Sequence, residues 1–134
     1  MSDMMETPIY KGKPPAVHNV DDYRRGLRNR PNESTIEVTA QHKVDLWTIM
    51  PGLTMPEHLH PGSECVLLVI DGRGDITIAG QTSDLKKGSL TIIPPHAHHS
   101  VRNTGPDPLV ILTTQGPGPF ETRVEESPGS EKIY

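Results

Sequence analysis

Two short stretches decide the reading of this chain: Pro56-Glu57-His58-Leu59-His60-Pro61-Gly62 and Pro94-Pro95-His96-Ala97-His98-His99. They hold five of the seven histidines. Residues two apart on a strand point to the same face, so His58 and His60 can present both imidazoles to one point inside a barrel. Imidazole nitrogens suit Zn, Fe, Ni, Cu or Mn, and a third ring from a distant strand completes a facial set with coordination positions left open for a substrate. An isolated His-x-His is more often the polar side of an exposed strand, so the weight rests on what surrounds the pair.

Outward from these stretches the chain reads as short strands broken by Gly and Pro. Residues 36–42 and 44–50 alternate apolar with polar, and Pro51-Gly52 ends the pattern. A third strand over 53–60 stops at Pro61-Gly62. Residues 65–70, Cys-Val-Leu-Leu-Val-Ile, are apolar on both faces, as a strand inside a closed or two-layered β structure must be. Asp71-Gly72 carries the signal of a hairpin turn. Further strands are expected over 75–79, 90–93, 98–102 and 109–114, separated by Ala79-Gly80, Lys87-Gly88, Pro94-Pro95 and Asn103-Thr104-Gly105-Pro106. Some eight short strands with no helical period describe an all-β single domain, a sandwich or barrel.

The ends and the composition set the limits. In 134 residues there is room for one domain, here residues 36–115. Residues 1–35 are polar and Pro-interrupted, with Asp21-Asp22 and a basic cluster over 24–30, and read as an arm without a core of its own. Residues 116–134 open on Gly-Pro-Gly-Pro and read as a mobile or partner-packed tail. A net charge of -4 argues against a nucleic-acid partner, which would need a basic stripe. The run over 65–70 falls far short of the roughly 18 apolar residues of a membrane span. No charged-then-apolar leader opens the chain, so the expected address is the cytoplasm. One cysteine cannot close an internal disulfide, and a reducing compartment fits. With Trp47, Phe120 and three Tyr as the only aromatic residues, the core must be aliphatic.

Taken with their neighbours, the histidines form a more specific pattern. Gly52, five residues, His58-x-His60, then Glu64, Cys65 and Gly72 resemble the first motif of the cupin superfamily: glycine, five residues, His-x-His, three or four residues, a glutamate, six residues, a glycine. Residues 88–103 resemble the second, through Gly88, Pro94, His99 and Asn103, with His96 where the family usually has glycine. Flanking strands extend the likeness over about residues 36–114. The resemblance implies a small jelly-roll β-barrel, or double-stranded β-helix, whose mouth holds one divalent transition metal on His58, His60 and His99.

The fourth ligand that the resemblance implies depends on register. Counting three residues after His60 reaches Glu64, and counting four reaches Cys65 with the usual six residues before Gly72. Neighbouring strand residues face opposite sides, so only one of the two is expected inward, and the regular spacing tilts the balance to Cys65. A bulge that turned Glu64 inward would give the three-histidine, one-carboxylate centre common among oxidising and decarboxylating cupins. Thiolate ligation by Cys65 would favour Zn or Cu, while a buried inert Cys65 would leave three histidines alone. His96 could narrow the pocket or carry protons, an exposed turn being the simpler account. His98 should point away, and His18 and His42 belong to no group.

Such a centre would act on a small oxygen-bearing molecule such as a keto acid, diketone or diol. The expectation is a metal-dependent enzyme, a dioxygenase slightly ahead of a decarboxylase, isomerase or lyase. The alternative is a non-catalytic module that binds or senses a metal or small ligand. The resemblance also implies a homodimer formed through sheet faces and swapped terminal strands.

Overall fold

A computed structural model describes residues 15–127 and 130–133. The first part of the arm, residues 1–14, and tail residues 128, 129 and 134 lie outside the described residues. Eleven strands are present among the described residues: β1 (Asn32–Val38), β2 (Lys43–Ile49), β3 (Thr54–Leu59), β4 (Glu64–Asp71), β5 (Arg73–Ile78), β6 (Gln81–Lys86), β7 (Leu90–Ile93), β8 (His99–Asn103), β9 (Leu109–Gly116), β10 (Arg123–Ser127) and β11 (Ser130–Ile133). They form two sheets, one in the order β1-β2-β9-β4-β7 and the other β11-β10-β3-β8-β5-β6, with every neighbouring pair antiparallel. The strand spacing indicates a sandwich or barrel, and the two sheets form the all-β jelly roll that the resemblance implies.

Alternation along the strands builds the core. In β4, Cys65, Leu67 and Val69 are buried while Glu64 and Asp71 are exposed. Ile49, Ile93, Leu109 and Ile111 join them from the first sheet, and Met55, Ile76, Leu85 and Val101 face them from the second. Each fully buried aliphatic side chain of this kind contributes about 1.5–3 kcal/mol relative to exposure. Asn103, 2 % exposed, donates from Nδ2 to the carbonyls of Ile49 and Asp107 at 2.8 Å each and accepts from Gly105 N at 2.9 Å. It fixes the turn from β8 to β9.

Three strands were not legible by alternation. β6 lies at the edge of its sheet and buries only Leu85, so its sequence is almost wholly polar. The stretch expected to be a mobile or partner-packed tail instead supplies β10 and β11. β10 pairs with β3 through Arg123–Leu59 and Val124–His58. Asp71-Gly72 is likewise not a hairpin, because β4 and β5 belong to different sheets and the chain crosses between them here. Gly72 has φ +88°, and a Cβ on it would press on the Pro108 carbonyl and lie 2.9 Å from Leu109 Cα. The dipeptide marks a left-handed backbone, which a sheet-to-sheet corner needs as much as a hairpin does.

The described part of the arm packs on the first sheet. Its single 3-10 turn, Val20–Tyr23, is capped by Asn19 Oδ1, which accepts from Asp21 N at 3.0 Å. Arg25 N donates to Thr48 Oγ1 at 3.1 Å, and Arg24 pairs with Asp71 at 3.3 Å. Among the described residues no helix is long and apolar enough to cross a membrane.

Candidate metal centre and its cavity

β3 and β8 are neighbours, and their register sets His58 directly opposite His99. His60 follows two residues after His58, just beyond the end of β3, and turns its ring to the same side. The ring centroids of His58 and His60 are 5.0 Å apart, those of His58 and His99 4.2 Å, and those of His60 and His99 5.3 Å. One ring nitrogen from each lies within 4.8 Å of the others. All three residues are buried, at 7 %, 7 % and 3 % exposure for His58, His60 and His99.

The backbone fixes which nitrogen faces the centre. His58 Nδ1 is 2.8 Å from the Pro56 carbonyl and His99 Nδ1 is 3.0 Å from the Ala97 carbonyl, the same two-residue backward reach on each strand. His60 Nδ1 is 3.1 Å from the Glu121 carbonyl, on the segment leading into β10, and 3.3 Å from Thr122 Oγ1. A carbonyl oxygen only accepts, so each Nδ1 carries the hydrogen and donates it, leaving Nε2 of every ring with a bare lone pair. Burial pushes His58 down to about 4. Burial, with His58 beside it, pushes His99 to about 3, and burial lowers His60 as well. The rings are therefore neutral at pH 7. Three converging lone pairs, each oriented by a backbone acceptor on the far side of its ring, are a donor set that fits a divalent transition metal.

Of the two alternatives for a fourth ligand, only Cys65 faces this space. It is 3 % exposed and lines the same cavity, whereas Glu64 is exposed on the opposite face of β4. Cys65 does not join the cluster of nitrogens. Burial, with the Asp45 charge adding to it, pushes its thiol up to about 12. His96 is exposed and takes the left-handed backbone at φ 69°, which explains why glycine suits this place. Its N–H donates to the His60 carbonyl at 2.8 Å, tying the two histidine segments together by backbone alone. His98 turns away and pairs with Glu57 at 3.4 Å.

The cavity has a volume of about 740 Å³ and two unlike walls. The second sheet contributes the three histidines and Met55. The first sheet contributes two rows set by register: Lys43, Gln115, Cys65 and Ile93 in one, and Asp45, Thr113 and Leu67 in the other. Phe120, Thr122 and Val124 close one side. Lys43 Nζ lies 3.6 Å from Asp45 Oδ2 and 3.5 Å from Glu33 Oε2. Glu33, at the rim, is held above the ordinary carboxylate range by loss of solvent and by Asp45, against the pull of Lys43. Asp45 Oδ1 and Gln115 Oε1 are buried with no hydrogen-bond partner among the described residues. A buried acceptor left so costs about 1–3 kcal/mol.

Sequence reading missed this polar wall. Its one signal was phase: the alternation that turns Trp47 and Ile49 inward on β2 also turns Asp45 and Lys43 inward.

Comparison with known proteins agrees with this architecture. Residues 45–114 match the family model of the cupin domain. An uncharacterized protein of Methanocaldococcus jannaschii is 37 % identical over 60 residues, 45 % of this chain and 48 % of that protein. The chain thus spans about half the length, or less, of the curated relatives it matches. Among solved structures, an uncharacterized conserved protein with a double-stranded β-helix domain from Klebsiella pneumoniae superposes with a TM-score of 0.79 at 27 % identity, covering 85 % of this chain and all of that one (100 %). An RmlC-like cupin protein from Desulfovibrio desulfuricans gives a TM-score of 0.70 at 23 % identity, covering 76 % and 96 %, a likeness of fold.

Proposed function

The chain belongs to the cupin family, and from that premise we propose that it is a metal-dependent enzyme acting on a small oxygen-bearing molecule, a dioxygenase ahead of a decarboxylase, isomerase or lyase. The observation that carries this reading is the set of three buried Nε2 lone pairs facing a cavity of about 740 Å³, a size within the range of small-molecule sites. His58, His60 and His99 would hold one divalent ion, with Fe, Mn, Ni, Cu and Zn all compatible with imidazole donors. When bound, such an ion supplies Lewis acidity toward a bidentate oxygen ligand and, if it is Fe(II), oxygenase chemistry.

The chain's own residues do the rest. Three neutral donors leave the ion's charge uncancelled, which favours an anionic group of the substrate at the histidine end. Met55, Leu67 and Ile93 keep water from the space around it. Cys65, kept as a thiol by its burial, lines the edge of the site.

Metal analysis of the purified protein, followed by oxygen uptake after iron is restored, tests the reading. Uptake with a keto acid, diketone or thiol supports the oxygenase. Turnover without uptake moves the assignment to a decarboxylase, isomerase or lyase. Metal-loaded protein inert to the whole panel would leave a binding or sensing module. A homodimer belongs to the same proposal, because edge strand β7 presents Leu90 and Ile92 at 60 % and 54 % exposure. A monomer on a sizing column at micromolar concentration would remove that part. The proposed compartment is the cytoplasm, where a lone thiol stays reduced.

A further inference from the structure

The wall opposite the histidines carries two buried acceptors, one carboxylate oxygen and one amide oxygen, that no N–H or hydroxyl of the described residues meets. Asp45 is 1 % exposed and Gln115 6 %, and both line the cavity. The register pairs Lys43 with Gln115 and Asp45 with Thr113, so Asp45 and Gln115 are diagonal neighbours on the inner face of the first sheet. Diagonal neighbours are close enough for one ligand to touch both. Lys43 lies 3.6 Å from Asp45 Oδ2 and Glu33 hydrogen-bonds to the Asp45 side chain, while no N–H or hydroxyl of the described residues reaches Asp45 Oδ1 or Gln115 Oε1. Asn103, equally buried, has every polar atom of its side chain matched, so the fold can satisfy an amide where the amide serves structure alone.

We propose that this wall is the second half of the ligand site, where Asp45 Oδ1 and Gln115 Oε1 accept hydrogen bonds from the hydroxyl groups of a hydroxylated carboxylate. The carboxylate end lies toward the histidines, and for that end the inference rests on the metal-enzyme reading. The hydroxyl end stands on the unmatched acceptors. Hydroxyl donors fit better than an ammonium group, because Lys43 faces both Asp45 and Glu33 and burial beside Asp45 favours the protonated form of Glu33, so the three groups already balance and a second buried cation would be in excess. Thr113, beside Asp45 in its row, can either donate or accept. A purely aliphatic acid would bury the two acceptors without donors, and sites built to hydrogen-bond a hydroxyl reject analogues that lack it.

The test is calorimetric titration of the zinc-loaded protein with three six-carbon carboxylates: gluconate, hexanoate and 6-aminohexanoate. Gluconate is expected to bind at least about tenfold more tightly than hexanoate. That preference should shrink to about one in Asp45→Asn and in Gln115→Met, with zinc content unchanged. Gln115→Met keeps the side chain's length and removes no charge, so it decides the matter if Asp45→Asn fails to fold by circular dichroism. Equal binding of gluconate and hexanoate by the wild type, no binding of gluconate, a preference that survives both substitutions, or tighter binding of 6-aminohexanoate than of gluconate would each overturn the inference. A gluconate preference that persists in protein unable to retain zinc, and is lost in Gln115→Met, would support the hydroxyl subsite while counting against the metal reading.

Discussion

The two walls of the cavity solve opposite problems with the same strand geometry. On the second sheet each histidine has its outer nitrogen tied to a backbone carbonyl, so the ring is oriented before any ligand arrives. On the first sheet Lys43 stands between Asp45 and Glu33, but two acceptors stay open to a hydroxyl or N–H donor. One wall is organised around a point where three lone pairs meet. The other spreads its polar groups over two strands and two rows of register. A point suits an ion and a spread suits a molecule, so the same cavity is divided between holding and recognising.

The histidine wall should break most sharply. His60→Ala or His99→Ala removes one of three donors, and metal affinity should fall by more than the 10- to 100-fold typical of losing a group that merely orients a ligand. Circular dichroism should be unchanged, because the core of Leu67, Ile93 and Val101 is untouched. Measuring zinc or iron per chain after desalting checks this. Full retention by both variants would mean that the rings do not meet on an ion.

The same wall should give the metal-free protein a steep acid response. Unfolded histidines titrate near 6.5, while His58 and His99 are held near 4 and 3 in the fold. Above 6.5 both states are neutral and these groups have no effect. Below it the unfolded chain binds protons that the folded one refuses, so stability falls with pH down to the folded values. The slope is about 1.4 kcal/mol per pH unit for each histidine, or on the order of 2 kcal/mol each at pH 5. Urea midpoints at pH 7.5 and pH 5, with chelator present, should show the loss, and His99→Gln should reduce it. An unchanged midpoint would mean that the rings are hydrated.

These effects fall on the residues that could be read from the chain alone, for a physical reason. A point-like site needs two ligands at a strand spacing of two and a third on the neighbouring strand, and such spacing survives in one dimension. The opposite wall leaves no such trace. Lys43, Asp45 and Gln115 come from two strands far apart in sequence and meet only through the β2–β9 register. The strands of the barrel were legible where at least one face is apolar, as in 65–70, apolar on both, and 109–114. They were hidden where little is buried, as in β6, and in β10, which the Gly-Pro run before it disguised as a tail. Asp71-Gly72 announced its backbone conformation correctly but could not say which sheet the next strand would join.

A smaller effect would sharpen the border between the walls. Cys65 sits where the first sheet approaches the histidines, and Glu64 faces away. Glu64→Gln should leave metal affinity unchanged. Cys65→Ser should weaken it by less than about tenfold, well below the loss of a histidine. A Cys65→Ser loss as large as that of His60→Ala would place the thiol on the ion and move Cys65 to the histidine wall. In the metal-free protein the thiol, pushed up to about 12, should react slowly with iodoacetamide at pH 8.

The smallest expected effect lies outside both walls and separates backbone from side chain. His96 adopts φ 69° with its ring exposed, and its N–H donates to the His60 carbonyl. A side chain in the left-handed region costs about 1–2 kcal/mol, and glycine removes that cost while adding freedom to the unfolded chain. His96→Gly should therefore raise the urea midpoint slightly, by the equivalent of about 1 kcal/mol or less, and leave metal content and ligand preference as they were. If metal affinity fell instead, the ring would be acting on the centre through His60, and the division between a holding wall and a recognising wall would have to extend to the turn that joins the two histidine segments.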